Sequence, residues 1–204
     1  MGKTLRLYKP NDTHLQELTS RLQDIKGMLQ KEFNRKEHFF DKSAKDSIDT
    51  VIKFLQKQLD SIEQEINKCI SNNQELKQKA KVISSVKCVG QKTTMTLLAA
   101  LPELGLVNPR LIAALAGLAP YANDSGSCSK LPMTSLGRPI VKRCLFMCAL
   151  VAIRNSPTLK VFYQRLLSNA KPKMVAIVAI MRKLLIFINN CCKAFYAQCS
   201  FINV

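Results

Sequence analysis

The sequence predicts an all-α protein in two parts: a helical hairpin or coiled coil over residues 1–80, then a compact helical domain over residues 81–204 with a helix-hairpin-helix-like turn near its start. Three observations lead there. Apolar residues in the first part recur at alternating steps of three and four, which is a heptad seam. Pro and Asn in the second part stand where helices begin, and Gly where they stop. Between the two, near residue 80, the composition changes, and beyond it acidic residues almost vanish.

The seam first runs through Leu15, Leu18, Leu22, Ile25 and Leu29. After a charged stretch around Lys36 to Lys45 it resumes at Ile48, Ile52, Leu55, Leu59, Ile62, Ile66 and Cys69. Each helix therefore has one narrow apolar stripe, suited to an antiparallel pair or to a dimeric coiled coil. In the second part, Gln91 to Leu101 reads as a helix stopped by Pro102. Asn108 caps the next helix, with Pro109 in its first turn, and that helix runs to about Ala116. Residues 117–138, with Gly117, Pro120, Gly126, Pro132 and Gly137, lack periodicity and read as a long loop. Pro139 opens an apolar helix to about Asn155, Ser156 caps another beginning at Pro157, and Pro172 opens a third that reaches Cys191 and Cys192.

The chain holds 31 Lys and Arg against 14 Asp and Glu, a net charge of +17. Residues 1–80 carry 15 basic and 12 acidic side chains; residues 81–204 carry 16 basic ones and only Glu103 and Asp124 as acids. A fold so unbalanced repels itself unless a polyanion is near, and nucleic acid is the usual one, ahead of a membrane surface. A site for two metal ions needs several converging carboxylates, which residues 81–204 cannot supply alone. No Cys-x-x-Cys pair exists, and His14 and His38 both lie in the charged first part, so no zinc site is expected. The amino terminus lacks the apolar stretch of a signal peptide, and the apolar runs are too short or too charged to span a bilayer. A cytoplasmic, reducing location follows, with Cys144 and Cys148 as small buried hydrophobes.

Three stretches can carry chemistry. Val86 to Thr93 lies between two helices, where a tight turn at Gly90 and a helix start bring backbone N–H groups to a phosphate, with Lys92 and Thr93 beside them. An ordinary helix-to-helix turn explains it equally well. In the loop Tyr121 to Lys130, Ser125 next to Gly126 is a candidate nucleophile towards phosphorus, although composition alone reads as a Ser/Gly linker. The third is the set of cations at helix starts: Arg138, Lys142 and Arg143, then Lys171 and Lys173, followed by Arg182 and Lys183. Solvated helix faces are the plain explanation; the shortage of acidic neighbours argues against it.

These residues also resemble a family. Gly90 with its Thr-rich helix, Leu101-Pro102-Glu103-Leu104-Gly105, Leu115-Ala116-Gly117-Leu118-Ala119-Pro120, Ser125-Gly126, Gly137-Arg138, and Arg143 leading into the Met147 helix follow the order and spacing of the Piv/MooV-like DEDD transposases of bacterial insertion sequences, insertion-sequence family one-ten. So do Phe162-Tyr163, Leu166 and the segment from Lys171-Pro172-Lys173 to Met181-Arg182-Lys183-Leu184. The resemblance covers roughly residues 83–190. It implies a carboxy-terminal domain bearing a catalytic serine, here Ser125, with Gly90, Lys92, Thr93, Lys130, Arg138, Lys142, Arg143, Lys171 and Lys173 as nucleic-acid contacts. An amino-terminal RuvC-like domain holding Mg2+ on four carboxylates belongs to the family pattern and is absent, so this chain resembles a truncated form that binds no cofactor itself and is inactive alone.

The resemblance further implies DNA as substrate, a guide RNA as partner, and association with itself or with full-length transposase through the coiled coil, in a bacterial cytoplasm at the nucleoid. Departures from the pattern include Lys87 for Pro, Cys88 for the hairpin Gly, Leu136 for the first of a Gly pair, and Leu131-Pro132 where basic residues are usual. Two other functions stay open: a non-catalytic nucleic-acid-binding remnant, and a coiled-coil adaptor that assembles with intact transposase.

Overall fold

The computed structural model describes residues 10–121, 134 and 137–202. They form eight helices and no strand: α1 (Pro10–His38), α2 (Lys42–Asn72), α3 (Gln74–Ser84), α4 (Gln91–Ala100), α5 (Pro109–Leu115), α6 (Pro139–Asn155), α7 (Pro157–Ser168) and α8 (Lys173–Ile202). The chain divides into two compact units, Met1–Gln74 and Glu75–Val204.

In the first unit α1 packs on α2. Lys36 reaches Asp49 (2.5 and 2.7 Å) and Lys26 reaches Glu63 (3.6 Å), so the two helices run antiparallel. Of the seam residues, Leu15, Leu22, Ile25, Ile52, Leu55 and Ile66 are buried and the others half-buried. The charged stretch at residues 36–45 is mostly helical; only residues 39–41 interrupt it. Asp41 ends the interruption as an N-cap, its carboxylate accepting from the Ala44 N–H (2.9 Å) and from the Ser43 hydroxyl (2.7 Å). These hydrogen bonds, the Ser43 one foremost, hold the Asp41 carboxyl below its ordinary pKa.

In the second unit α8 packs against α5, α6 and α7, and α6 also packs on α4. The core is built from Ile83 of α3, Leu97 of α4, Ile112 of α5, Leu145 and Ala149 of α6, and Ile180 and Leu185 of α8, all almost wholly buried. Helix starts follow local capping chemistry. Asn108 accepts from the Leu111 N–H at 2.8 Å, with Pro109 in the first turn, and Pro139 and Pro157 open α6 and α7. Ser156 holds the N-cap position of α7, but its side chain makes no capping hydrogen bond, contrary to expectation. Its backbone instead serves both helices, the N–H donating to Ala152 and the carbonyl accepting from Lys160, where α6 and α7 bend by 101°.

Among the described residues, the Lys173–Gln198 stretch of α8 is long and apolar enough to cross a bilayer, but half of it is buried against protein and it carries Arg182 and Lys183 mid-length. Of the two α6 thiols expected to be buried, Cys148 is buried and Cys144 only half-buried. Burial pushes Cys144 up to about 12, aided by its neighbour Cys148, and burial likewise raises Cys148.

Candidate nucleic-acid interface

The turn between α3 and α4 is the first element. Ile83, Val86 and Val89 are buried anchors, and the Val86 and Val89 N–H groups donate to the carbonyls of Ile83 and Val86 at 3.2 and 3.1 Å. Such a tight reversal needs one residue in the left-handed region, and Cys88 occupies it at φ 74°. Gly90 does not: at φ −85°, ψ 171° it is the extended N-cap of α4, and a Cβ there would meet open space. The glycine this turn lacks is thus the one its backbone calls for. Cys88→Gly should stabilise the second unit by about 0.5–1 kcal/mol, the left-handed strain relieved exceeding the extra chain entropy lost, as urea unfolding would read. Lys92 is exposed on the first turn of α4. Thr93 faces inward, its hydroxyl 3.4 Å from the Cys148 sulfur, which is a packing role.

The base of the long loop is the second element. Gly117 (φ 70°) ends the α5 segment and Gly137 (φ 108°) precedes α6. Their backbones touch: a Cβ on Gly137 would fall 2.2 Å from the Gly117 nitrogen and 2.5 Å from its Cα. The Arg138 N–H donates to the Leu115 carbonyl at 3.0 Å and completes the clasp. Two motifs twenty residues apart, at 115–120 and 137–138, are thereby joined, so Gly117 and Gly137 bring the two ends of the long loop together. Ser125 and Lys130 lie within that loop, outside the described residues.

Arg138 is committed within the fold. Its guanidinium donates to both carboxylate oxygens of Glu103 (2.6 and 2.7 Å) and to the Ala100 carbonyl (2.6 Å). This two-pronged pair joins the start of α6 to the turn after α4. Burial pushes the Glu103 carboxyl up, but hydrogen bonding and charge from Arg138, its own backbone, and Lys79 together hold it below its ordinary value. A depressed acid contributes stability above its unfolded pKa and loses it as pH falls through the folded value. Stability of this unit should therefore decline in acid below the ordinary Glu range, and Glu103→Gln should flatten that decline in a pH series of urea midpoints.

Lys142 also bonds inward, its ammonium donating to the Thr134 carbonyl. Arg143, Lys171 and Lys173 are exposed. With Lys92 they are the sequence-predicted cations on open surface. The first turns of α6, α7 and α8 hold no acid, so cations stand where a helix start favours anions. The second unit carries 18 Lys and Arg against Glu75, Glu103 and Asp124.

Sequence reading missed Lys79, Asn189 and Arg165, and it did not foresee that the cation Lys183 would share a ring with Arg165. Lys79 of α3 is 3% exposed, donates to the Pro102 carbonyl at 3.2 Å and lies 5.6 Å from the centroid of the Tyr196 ring. Asn189 of α8 is wholly buried and bonds the turn after α4. Lys183 and Arg165 share the Phe162 ring, at 4.2 and 5.2 Å from its centroid. Only Asn189 left a signal, a polar residue set between Leu185, Ile188 and Cys192 in an apolar stripe.

Among the described residues no three His, Cys, Asp or Glu side chains converge as a metal site, and Glu103 is occupied by Arg138. They do not fit the Mg2+ that the family pattern implies. A "Pilin gene-inverting protein" of Moraxella bovis is 29% identical to this chain over 179 residues, 86% of the chain and 55% of that protein, so the chain spans about half the length of this curated relative. The segment with the α3–α4 turn, the loop clasp and the α6 cations, residues 80–164, matches the family model described as Transposase IS116/IS110/IS902 family.

Proposed function

We propose that this chain is the DNA-binding part of an insertion-sequence transposase and takes part in DNA transposition or recombination. The observation that carries the reading is the match over residues 80–164, which falls on a strongly basic unit whose loop is drawn closed at its base. Ser125 is the nucleophile in this proposal. Its Oγ attacks a DNA phosphorus and loses its proton as the phosphoserine ester forms, while the phosphorus–oxygen bond to the leaving strand breaks and that strand departs as an alcohol. Lys92, Arg143, Lys171 and Lys173 hold phosphates on open surface; Lys130 belongs to the loop of Ser125. Arg138 and Lys142 act by positioning the loop base and α6, since both bond to the fold. Carboxylates for charge stabilisation come from another domain or polypeptide. The RNA partner rests on the resemblance alone, as does a cytoplasmic place at the nucleoid.

The test is DNA affinity across a salt series together with trapping of a covalent adduct. Binding should fall steeply with salt, with a logarithmic slope of about −0.9 per phosphate neutralised. Given the carboxylate-bearing partner, Ser125→Ala should abolish the adduct and keep the binding. An adduct that survives Ser125→Ala sinks the nucleophile; binding indifferent to salt sinks the DNA reading.

One observation favours a second role for residues 1–80. Phe33 and Phe54 on α1 and α2, and Phe40 between them at 93% exposure, are apolar groups left on the surface of the first unit. Self-association through this region fits them. A sedimentation series in which the molecular mass does not rise with concentration would exclude it.

A further inference from the structure

A groove of about 480 Å3 opens on the second unit between the α3–α4 turn, the start of α7 and the outer face of α8. Its walls are mainly apolar: Val86 and Cys88 on one side, Leu159 on another, Leu184 and Phe187 along α8. Phe187 is 55% exposed, a large ring held out on a rigid helix. The polar side chains at this groove, thiols aside, are cationic or hydroxylic: Lys87 from the turn, Lys183 one helical turn before Phe187, Ser85, Ser156 and Thr158. Among the described residues no carboxylate lines it. Lys183 is kept at the edge by the Phe162 ring, which also carries Arg165.

An apolar slot with an open aromatic ring and lysines at the edge matches what a single strand offers: a flat base to stack and a phosphate on either side. A duplex hides its bases and could use only the lysines. We propose that this groove binds an unpaired stretch of a DNA strand, one base stacked on Phe187 and the adjoining phosphates met by Lys87 and Lys183. The proposal rests on the DNA reading above and adds a second, base-stacking mode to its surface cations.

Fluorescence anisotropy of the full chain at one fixed salt concentration, with labelled oligothymidylate, a duplex of the same length and oligouridylate, tests it. Phe187→Ala should weaken oligothymidylate binding about tenfold and change duplex binding by less than about twofold, and Phe187→Trp should retain the single-strand affinity. Lys183→Ala, an exposed position that leaves the ring in place, should weaken oligothymidylate more than duplex. Equal losses on both probes from Phe187→Ala, or none on either, would overturn the proposal. So would an oligouridylate affinity well above that for oligothymidylate with the same Phe187 dependence, which assigns the groove to RNA. A wild-type chain that binds duplex but not the single strand defeats this inference alone; one that binds neither defeats the DNA reading as well.

Discussion

Gly137→Ala should lower the stability of the second unit by about 3 kcal/mol, the sum of roughly 1–2 kcal/mol for a left-handed backbone and about 1–3 kcal/mol for overpacking. The added methyl would stand 2.2 Å from the Gly117 nitrogen, and neither backbone can give way without opening the clasp. The partner atoms are main chain, so no rotamer change relieves the contact. In a domain of this size the melting temperature should drop by roughly 10 °C. Gly90→Ala is the control, since its Cβ meets nothing and φ is −85°. Equal melting temperatures for the two variants would refute the clasp. If the loop carries the nucleophile, Gly137→Ala should also cost activity at temperatures where the unit stays folded, because the two loop ends no longer meet.

Asn189→Leu should cost about 2–4 kcal/mol although it keeps the branched shape and adds apolar surface, because each buried polar group left unpaired costs about 1–3 kcal/mol. The Asn189 Oδ1 accepts from the Gly105 N–H at 2.8 Å and its Nδ2 donates to the Val107 carbonyl at 3.1 Å. Both partners belong to the turn after α4. Gly105 at φ 88° lies so close to α8 that a Cβ would stand 2.8 Å from the Cys192 Cβ, so the turn cannot shift to find water. The neighbouring exposed Asn190→Leu should change stability by less than about 0.5 kcal/mol. Urea unfolding of both variants distinguishes a buried polar bracket from a generic loss of an amide.

The helices were readable from the chain where a local signal sets them. Asn108-Pro109, Pro139 and Pro157 begin α5, α6 and α7 at the expected places, because capping and proline geometry involve only neighbouring residues. The seam from Leu15 to Cys69 is buried or half-buried for the same kind of reason: helical periodicity brings those residues to one side. The break at Asn73 and the start of α3 carried no comparable mark, and α3 holds the buried Lys79. The end of α8 was also misplaced; the helix passes Cys191 and Cys192 and continues to Ile202, with no Gly or Pro to stop it sooner.

The interface was less legible. A list of cations in a basic domain treats them alike, yet the fold divides them. Arg143, Lys171 and Lys173 remain on the surface, whereas Arg138 closes on Glu103, 35 positions away, and Lys142 on Thr134. Lys183 and Phe187 look like parts of an apolar helix until the α3–α4 turn and α7 come up beside them and make a groove. Local capping and the 3.6-residue period therefore set most of this protein's helices, and its composition alone carries the basic charge and the two glycines of its loop. Which cation meets a carboxylate, which meets solvent and which borders a cavity depends on residues far apart in the chain, because ion pairing and burial act through space and come into being only when the helices pack.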